Sequence, residues 1–246
     1  MHPLLAPFTS AGAEELRIDK IGKSNKPHGE PYKRSRQGST INRQLRVVCR
    51  TCNQEWMSET EKRAAPVLRA LIQGDHTVVH RDEVEDLAVW IALKIIVAEH
   101  SFDDNSTTVA ADRAALMTAR KVPETFRIYI GDQRSPSWAL AYFRQAVNLA
   151  HPDALPNDLT GKNTFITCFG VGRLFVCAFV SRTIELNLRI DGSRLVELFP
   201  NTPDTLSWPP LRILSEQDIV RLANSIDRII KDPNVTWFEH LPDRGG

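Results

Sequence analysis

Apolar positions recur at helical spacing after Trp56. Ala64, Ala65, Val67, Leu68, Leu71 and Ile72 give one mostly apolar face, with Glu55, Glu59 and Glu61 in the opening turns. Gly74 is a natural stop for that helix. A second run, Val84, Leu87, Ala88, Trp90, Ile91, Leu93, Ile95, Ile96 and Val97, is apolar on most sides. It predicts a buried central helix from about residue 82, capped by Asp82 with Glu83 and Glu85 in its first turn, to about His100. Trp90 and Lys94 fall one turn apart, so the lysine stem can lie along the ring. Asn105 to Thr108 opens another helix, through about Ala119. Ser215 with Asp218 reads as the cap of a last helix over 216–230, whose Ile219, Val220, Leu222, Ala223, Ile226, Ile229 and Ile230 suit a docking face.

Period-two alternation marks the strands. Short strands are predicted at 77–80 and 125–131, the second with Phe126, Ile128 and Ile130 on one side. Residues 136–149 fit helix or strand. Residues 163–180 read as two strands around Gly170-Val171-Gly172, with Phe165, Cys168 and Phe169 on one side. Gly170-x-Gly172 resembles a phosphate loop superficially, but no helix and no Gly-Lys-Ser/Thr follow, so a hairpin turn is expected. Cys168 and Cys177 on these strands are read as small apolar core residues. Further strands are expected at 184–190 and 195–199, around a turn at Asp191-Gly192. Residues 18–45 and 151–161 read as loops and 200–210 as an extended linker. Glu99-His100 could suggest a catalytic pair, but a helix C-terminus favours a cationic His anyway, and the structural reading is preferred. There is no internal repeat.

Runs of helix and of antiparallel strand without strict alternation indicate an α+β fold. The chain divides into a small N-terminal unit, 1–74, and a larger mixed helix and antiparallel-sheet domain, 75–246. At 246 residues, 42% hydrophobic and 25% charged, it has the composition of an ordinary globular protein. The net charge of +1 selects no partner, but its distribution is uneven. Nine basic residues lie between Leu16 and Cys49, against only Asp19 and Glu30. Lys33, Arg34, Arg36, Arg43 and Arg46, with Arg50 beyond them, are candidates for a phosphate backbone; Tyr32 among them could stack on a base. A solvated loop tip explains the same charges. Four cysteines do not form a secreted disulfide framework. The start has no signal-peptide pattern and no stretch is long enough to span a bilayer, so a cytoplasmic protein is expected.

The clearest chemistry lies at Cys49-x-x-Cys52, where two thiolates two residues apart can point at one metal ion from a tight turn. A strand at 45–48 is expected to lead into this knuckle and a helix to leave it. The run Val48-Cys49-x-x-Cys52-Asn53-x-x-Trp56-Met57-Ser58, then Glu61, Pro66, Leu68 and Leu71-Ile72-x-Gly74, resembles bacterial and phage proteins related to the HNH endonucleases. Ala88-x-Trp90-x-x-x-Lys94 extends the likeness into the central helix, and Trp208-Pro209-Pro210 extends it weakly to the end.

That resemblance implies a ββα-metal, treble-clef-like unit and metal-dependent hydrolysis of DNA phosphodiesters. It makes Cys49 and Cys52 half of a structural Zn2+ site. Asn53 takes the helix position that helps bind a catalytic Mg2+ or other divalent ion, which stabilises charge on the scissile phosphate. A strand histidine acts as general base; His2 is the upstream candidate, with His28 a poorer one, and Asn42 is a loose match to the middle asparagine. The family pattern also places a first C-x-x-C and an acidic-His pair near the start. No cysteine precedes Cys49, so an incomplete first knuckle is expected, as a late start codon or a truncated gene would leave. The competing reading is a non-catalytic zinc-knuckle protein that binds nucleic acid or docks a partner. A third treats Cys49 and Cys52 as reduced cysteines without metal.

Overall fold

A computed structural model describes residues 48–100, 108–147, 163–182, 194–225 and, for the backbone alone, 186–188 and 238–240. The elements in chain order are α1 (Arg50–Gln54), α2 (Trp56–Gln73), β1 (Thr77–His80), α3 (Arg81–Glu99) and α4 (Ala110–Ala114). Then come β2 (Phe126–Asp132), β3 (Leu140–Val147), β4 (Thr164–Val171), β5 (Leu174–Ser181), β6 (Leu186–Leu188), β7 (Val196–Phe199), β8 (Thr205–Trp208), α5 (Glu216–Ala223) and β9 (Phe238–His240). The mixture of helices with antiparallel sheets is the α+β class expected.

Five strands form the central sheet in the order β3-β4-β5-β2-β7, all neighbours antiparallel. Both faces are covered. Phe126, Ile128, Phe165, Val176 and Val180 share one core with α2 and α3, while Tyr129, Ile166, Cys168, Phe175, Cys177 and Phe179 share a second with Ile219, Leu222 and Ala223 of α5. Burial on both sides explains why β4 and β5 read as almost unbroken apolar runs. It also corrects one expectation: Cys168 lies on the face opposite Phe165 and Phe169, because successive strand side chains alternate. Two smaller sheets pair β1 with β8 and β6 with β9.

The two-residue turn Gly172-Arg173 closes β4 onto β5, with Val171 opposite Leu174. Gly172 has φ +54 at the first central position, which a type II′ hairpin demands. The turn also anchors α2. The Arg173 backbone N–H donates to the Ile72 carbonyl at 2.9 Å, and its Nη1 reaches the Gly74 carbonyl at 3.5 Å. Its guanidinium pairs with the fully buried Asp132, Nε to Oδ1 at 2.8 Å, and the pairing raises the Arg173 pKa further. A cation therefore sits at the C-terminus of α2, where the last carbonyls favour it. Gly74 ends that helix at φ +78, and a Cβ there would meet the Arg173 side chain at 2.3 Å.

Helix α2 packs on α3, its buried Ala64, Leu68 and Leu71 joining the same core as Leu87 and Ile91. Arg63 bonds Asp86 at 3.3 Å and Lys94 pairs with Glu61 across the two helices. Lys94 also lies 5.6 Å from the Trp90 ring, as expected. Pro66 inside α2 is exposed, so the helix bond it removes lies on the wet face.

Other expectations change in detail. Helix α3 begins at Arg81 with His80 as its cap residue, and the Glu83 carboxylate accepts the His80 N–H at 2.9 Å; Asp82 is inside the helix. The ambiguous 136–149 segment is a short 3-10 turn, Pro136–Trp138, followed by β3. The supposed linker 200–210 contains β8, whose buried Leu206 and Trp208 bring it against β1. Helix α4 runs into a π-helical turn, Ala115–Ala119. Ser215 caps α5, accepting from the Asp218 N–H at 3.2 Å. Helix α4 starts at Ala110 with the extended Val109 as its cap residue, later than the start expected at Asn105–Thr108, and α5 ends at Ala223 rather than continuing unbroken to 230. The expected loops at 18–45 and 151–161, the strand residues 45–47, the turn at Asp191-Gly192 and residues 105–107 and 226–230 lie outside the described residues.

Candidate functional site

Cys49 is the cap residue of α1, and its extended backbone (φ −68, ψ 157) turns the chain into the helix. The Cys52 N–H donates to the Cys49 sulfur at 3.2 Å, and the Asn53 N–H donates to the Cys49 carbonyl at 3.1 Å. These bonds close the C-x-x-C turn. The tight turn expected between the cysteines is thus the first turn of α1 itself. The Cys52 N–H lowers the Cys49 pKa, because the bond favours the anionic sulfur. Cys49 is exposed and Cys52 half-buried; both are reduced.

Glu55 breaks the helix at φ −96, ψ −100, and α2 restarts at Trp56. Cys52 and Trp56 both pack against the main core. The Arg120 guanidinium lies 4.7 Å from the centre of the Trp56 ring, a cation–π contact. Among the described residues Arg120 is the non-glycine residue of positive φ (+53), directly after the π-helical turn. The Trp56 Nε1 is buried without a hydrogen-bond partner in the described structure, so packing and the arginine hold the ring. Nothing in the local sequence signals a contact between residues 56 and 120.

Among the predicted site residues, Cys49, Cys52, Asn53 and Arg50 share α1 and its cap. Asn53 and Arg50 are exposed, and Arg50 Nε donates to Gln54 Oε1 at 3.2 Å. His2, Lys33, Arg34, Arg36, Arg43 and Arg46 lie outside the described residues, as do His28, Tyr32 and Asn42. Two thiols with an N–H aimed at one sulfur are of the chemistry that suits a soft or borderline divalent ion such as zinc, and would supply two of its four usual ligands. Among the described residues no cluster of three or more His, Cys, Asp or Glu side chains is placed to hold a metal.

Two further clusters were not anticipated. Glu99, at the end of α3, is buried and pairs with Arg144 of β3 at 3.0 Å. The Thr108 N–H also donates to Glu99 at 3.1 Å, and the Arg144 guanidinium lies 3.9 Å from the Phe165 ring centre. The partner of Glu99 is thus Arg144, and the neighbouring His100 at the end of α3 is exposed. The second cluster is Cys168 and Cys177, directly opposite each other across β4 and β5. The visible signal was their equal distance from the turn.

Comparison with protein-family models, curated proteins and solved structures finds no match. No helix among the described residues is long and apolar enough to cross a membrane.

Proposed function

We propose that the chain is an HNH-related, metal-dependent endonuclease that hydrolyses DNA phosphodiesters in the cytoplasm. The observation that carries this reading is the closed Cys49–Cys52 turn with Asn53 immediately after it, on an exposed helix start. In this reading residues 1–74 form a ββα-metal unit. Cys49 and Cys52 hold a structural zinc, and the Cys52 N–H fixes the direction of the first sulfur. Asn53, exposed on α1, would help hold the catalytic divalent ion, and His2 would take the proton from the attacking water. Arg50, with Lys33, Arg34, Arg36, Arg43 and Arg46, neutralises backbone phosphates. A bound divalent ion supplies charge stabilisation on the phosphate and the leaving oxygen.

The thiol geometry supports zinc more directly than it supports hydrolysis, and that favours a second reading. In it the knuckle is a non-catalytic nucleic-acid-binding or docking unit. Plasmid nicking by the purified chain with Mg2+, Mn2+ or EDTA separates the two, with zinc measured on the same sample. Nicking that needs the divalent ion and disappears in Asn53→Ala supports the nuclease. Zinc without nicking leaves the binding module, and neither zinc nor nicking refutes both.

A further inference from the structure

Cys168 and Cys177 each stand three residues from the pair that closes the hairpin, Val171 and Leu174. In a two-residue hairpin the closing pair is hydrogen-bonded and the pairs alternate outward, so the cysteines occupy a non-hydrogen-bonded position. There the Cα atoms approach to about 4.5 Å and the side chains are at their closest, within the range a disulfide spans. Both thiols are reduced and fully buried, on the face that shares its core with α5.

We propose that Cys168 and Cys177 are a redox modification site, which a peroxide closes into a cross-strand disulfide when α5 lifts from the sheet. The two thiols give up two protons and two electrons to hydrogen peroxide, forming one S–S bond and two water molecules. One thiolate first attacks the peroxide to give a sulfenic acid, and the facing thiol then displaces water from it. Burial pushes the Cys168 thiol well above its usual range, and the neighbouring thiol adds to this. While α5 is docked the thiolate is scarce and the oxidant is excluded, so the rate follows the opening of α5. That helix is short, and its start depends on the Ser215–Asp218 cap.

The test treats the full chain with hydrogen peroxide, alkylates the remaining thiols at intervals, and maps the peptides by mass. Cys49, at the surface, serves as the fast internal standard. The expected product is a peptide pair bridged through Cys168 and Cys177, formed more slowly than any change at Cys49. Ser215→Ala should form the bridge about fivefold faster, as loss of an N-cap raises the open fraction. Urea below the unfolding transition should do the same in the wild-type chain, in case that variant folds poorly. The proposal is overturned if Cys168 and Cys177 remain alkylatable under all these conditions after Cys49 is consumed. Bridging of either one to Cys49 or Cys52 instead overturns it equally.

Discussion

Cys49 and Cys52 lie at the start of α1 near solvent, where a backbone N–H favours the Cys49 thiolate. Cys168 and Cys177 face each other across two central strands, where burial favours the thiol. The pairs carry the same atoms and differ in their surroundings. At the first the chain turns with an amide aimed at sulfur, the feature on which the proposed zinc site rests. The second has core character because side chains fill both faces of the sheet. Cysteine content alone distinguishes neither role; register and exposure do.

The contrast is broken most severely from the sheet side. Arg144→Ala removes the guanidinium that neutralises the buried Glu99 carboxylate, and should cost about 3–5 kcal/mol in urea unfolding. Replacing both partners with apolar residues of similar size should recover much of that loss. Gly170→Ala comes next. A Cβ there would meet the Trp138 carbonyl oxygen at 1.9 Å, and backbone on both sides must shift. Overpacking of this kind costs about 1–3 kcal/mol, read from the same unfolding curves.

Ser215→Ala should cost about 1 kcal/mol through the lost cap. Burial pushes the Asp218 carboxyl up, but the Ser215 hydrogen bonds and the charge of Arg194, 2.8 Å away, outweigh it and leave the pKa lowered. A lowered carboxylate contributes stability that is fully present above the ordinary value of about 3.9 and lost as pH falls through the folded value. The penalty of Ser215→Ala should therefore shrink on acidification below that value, in unfolding midpoints measured across pH. The smallest effect on stability belongs to Cys49→Ser, at an exposed position: the metal-free protein should unfold at an unchanged midpoint.

Local signals were legible where a residue has one strong conformational reason. Gly74 ends α2 because it takes positive φ, Ser215 and Asp218 open α5, and Gly172 turns the hairpin. The central helix was legible from its nearly unbroken apolar surface. Long-range pairing was not. Strand β8 looked like a linker because prolines flank it, and its partner β1 lies far away in sequence. The side chosen for Cys168 failed because a strand buried on both faces loses the alternation that assigns sides. At the candidate site, Cys49, Cys52 and Asn53 were legible as a local motif. The arginine over Trp56 comes from Arg120, after a π-helical turn, and has no local signature.

Zinc content of the purified full chain, beside Cys49→Ser and Cys177→Ser, tests the central claim most directly. The account predicts zinc in the wild-type chain, kept in Cys177→Ser and lost in Cys49→Ser. A wild-type chain without zinc, or zinc that survives Cys49→Ser, would contradict it.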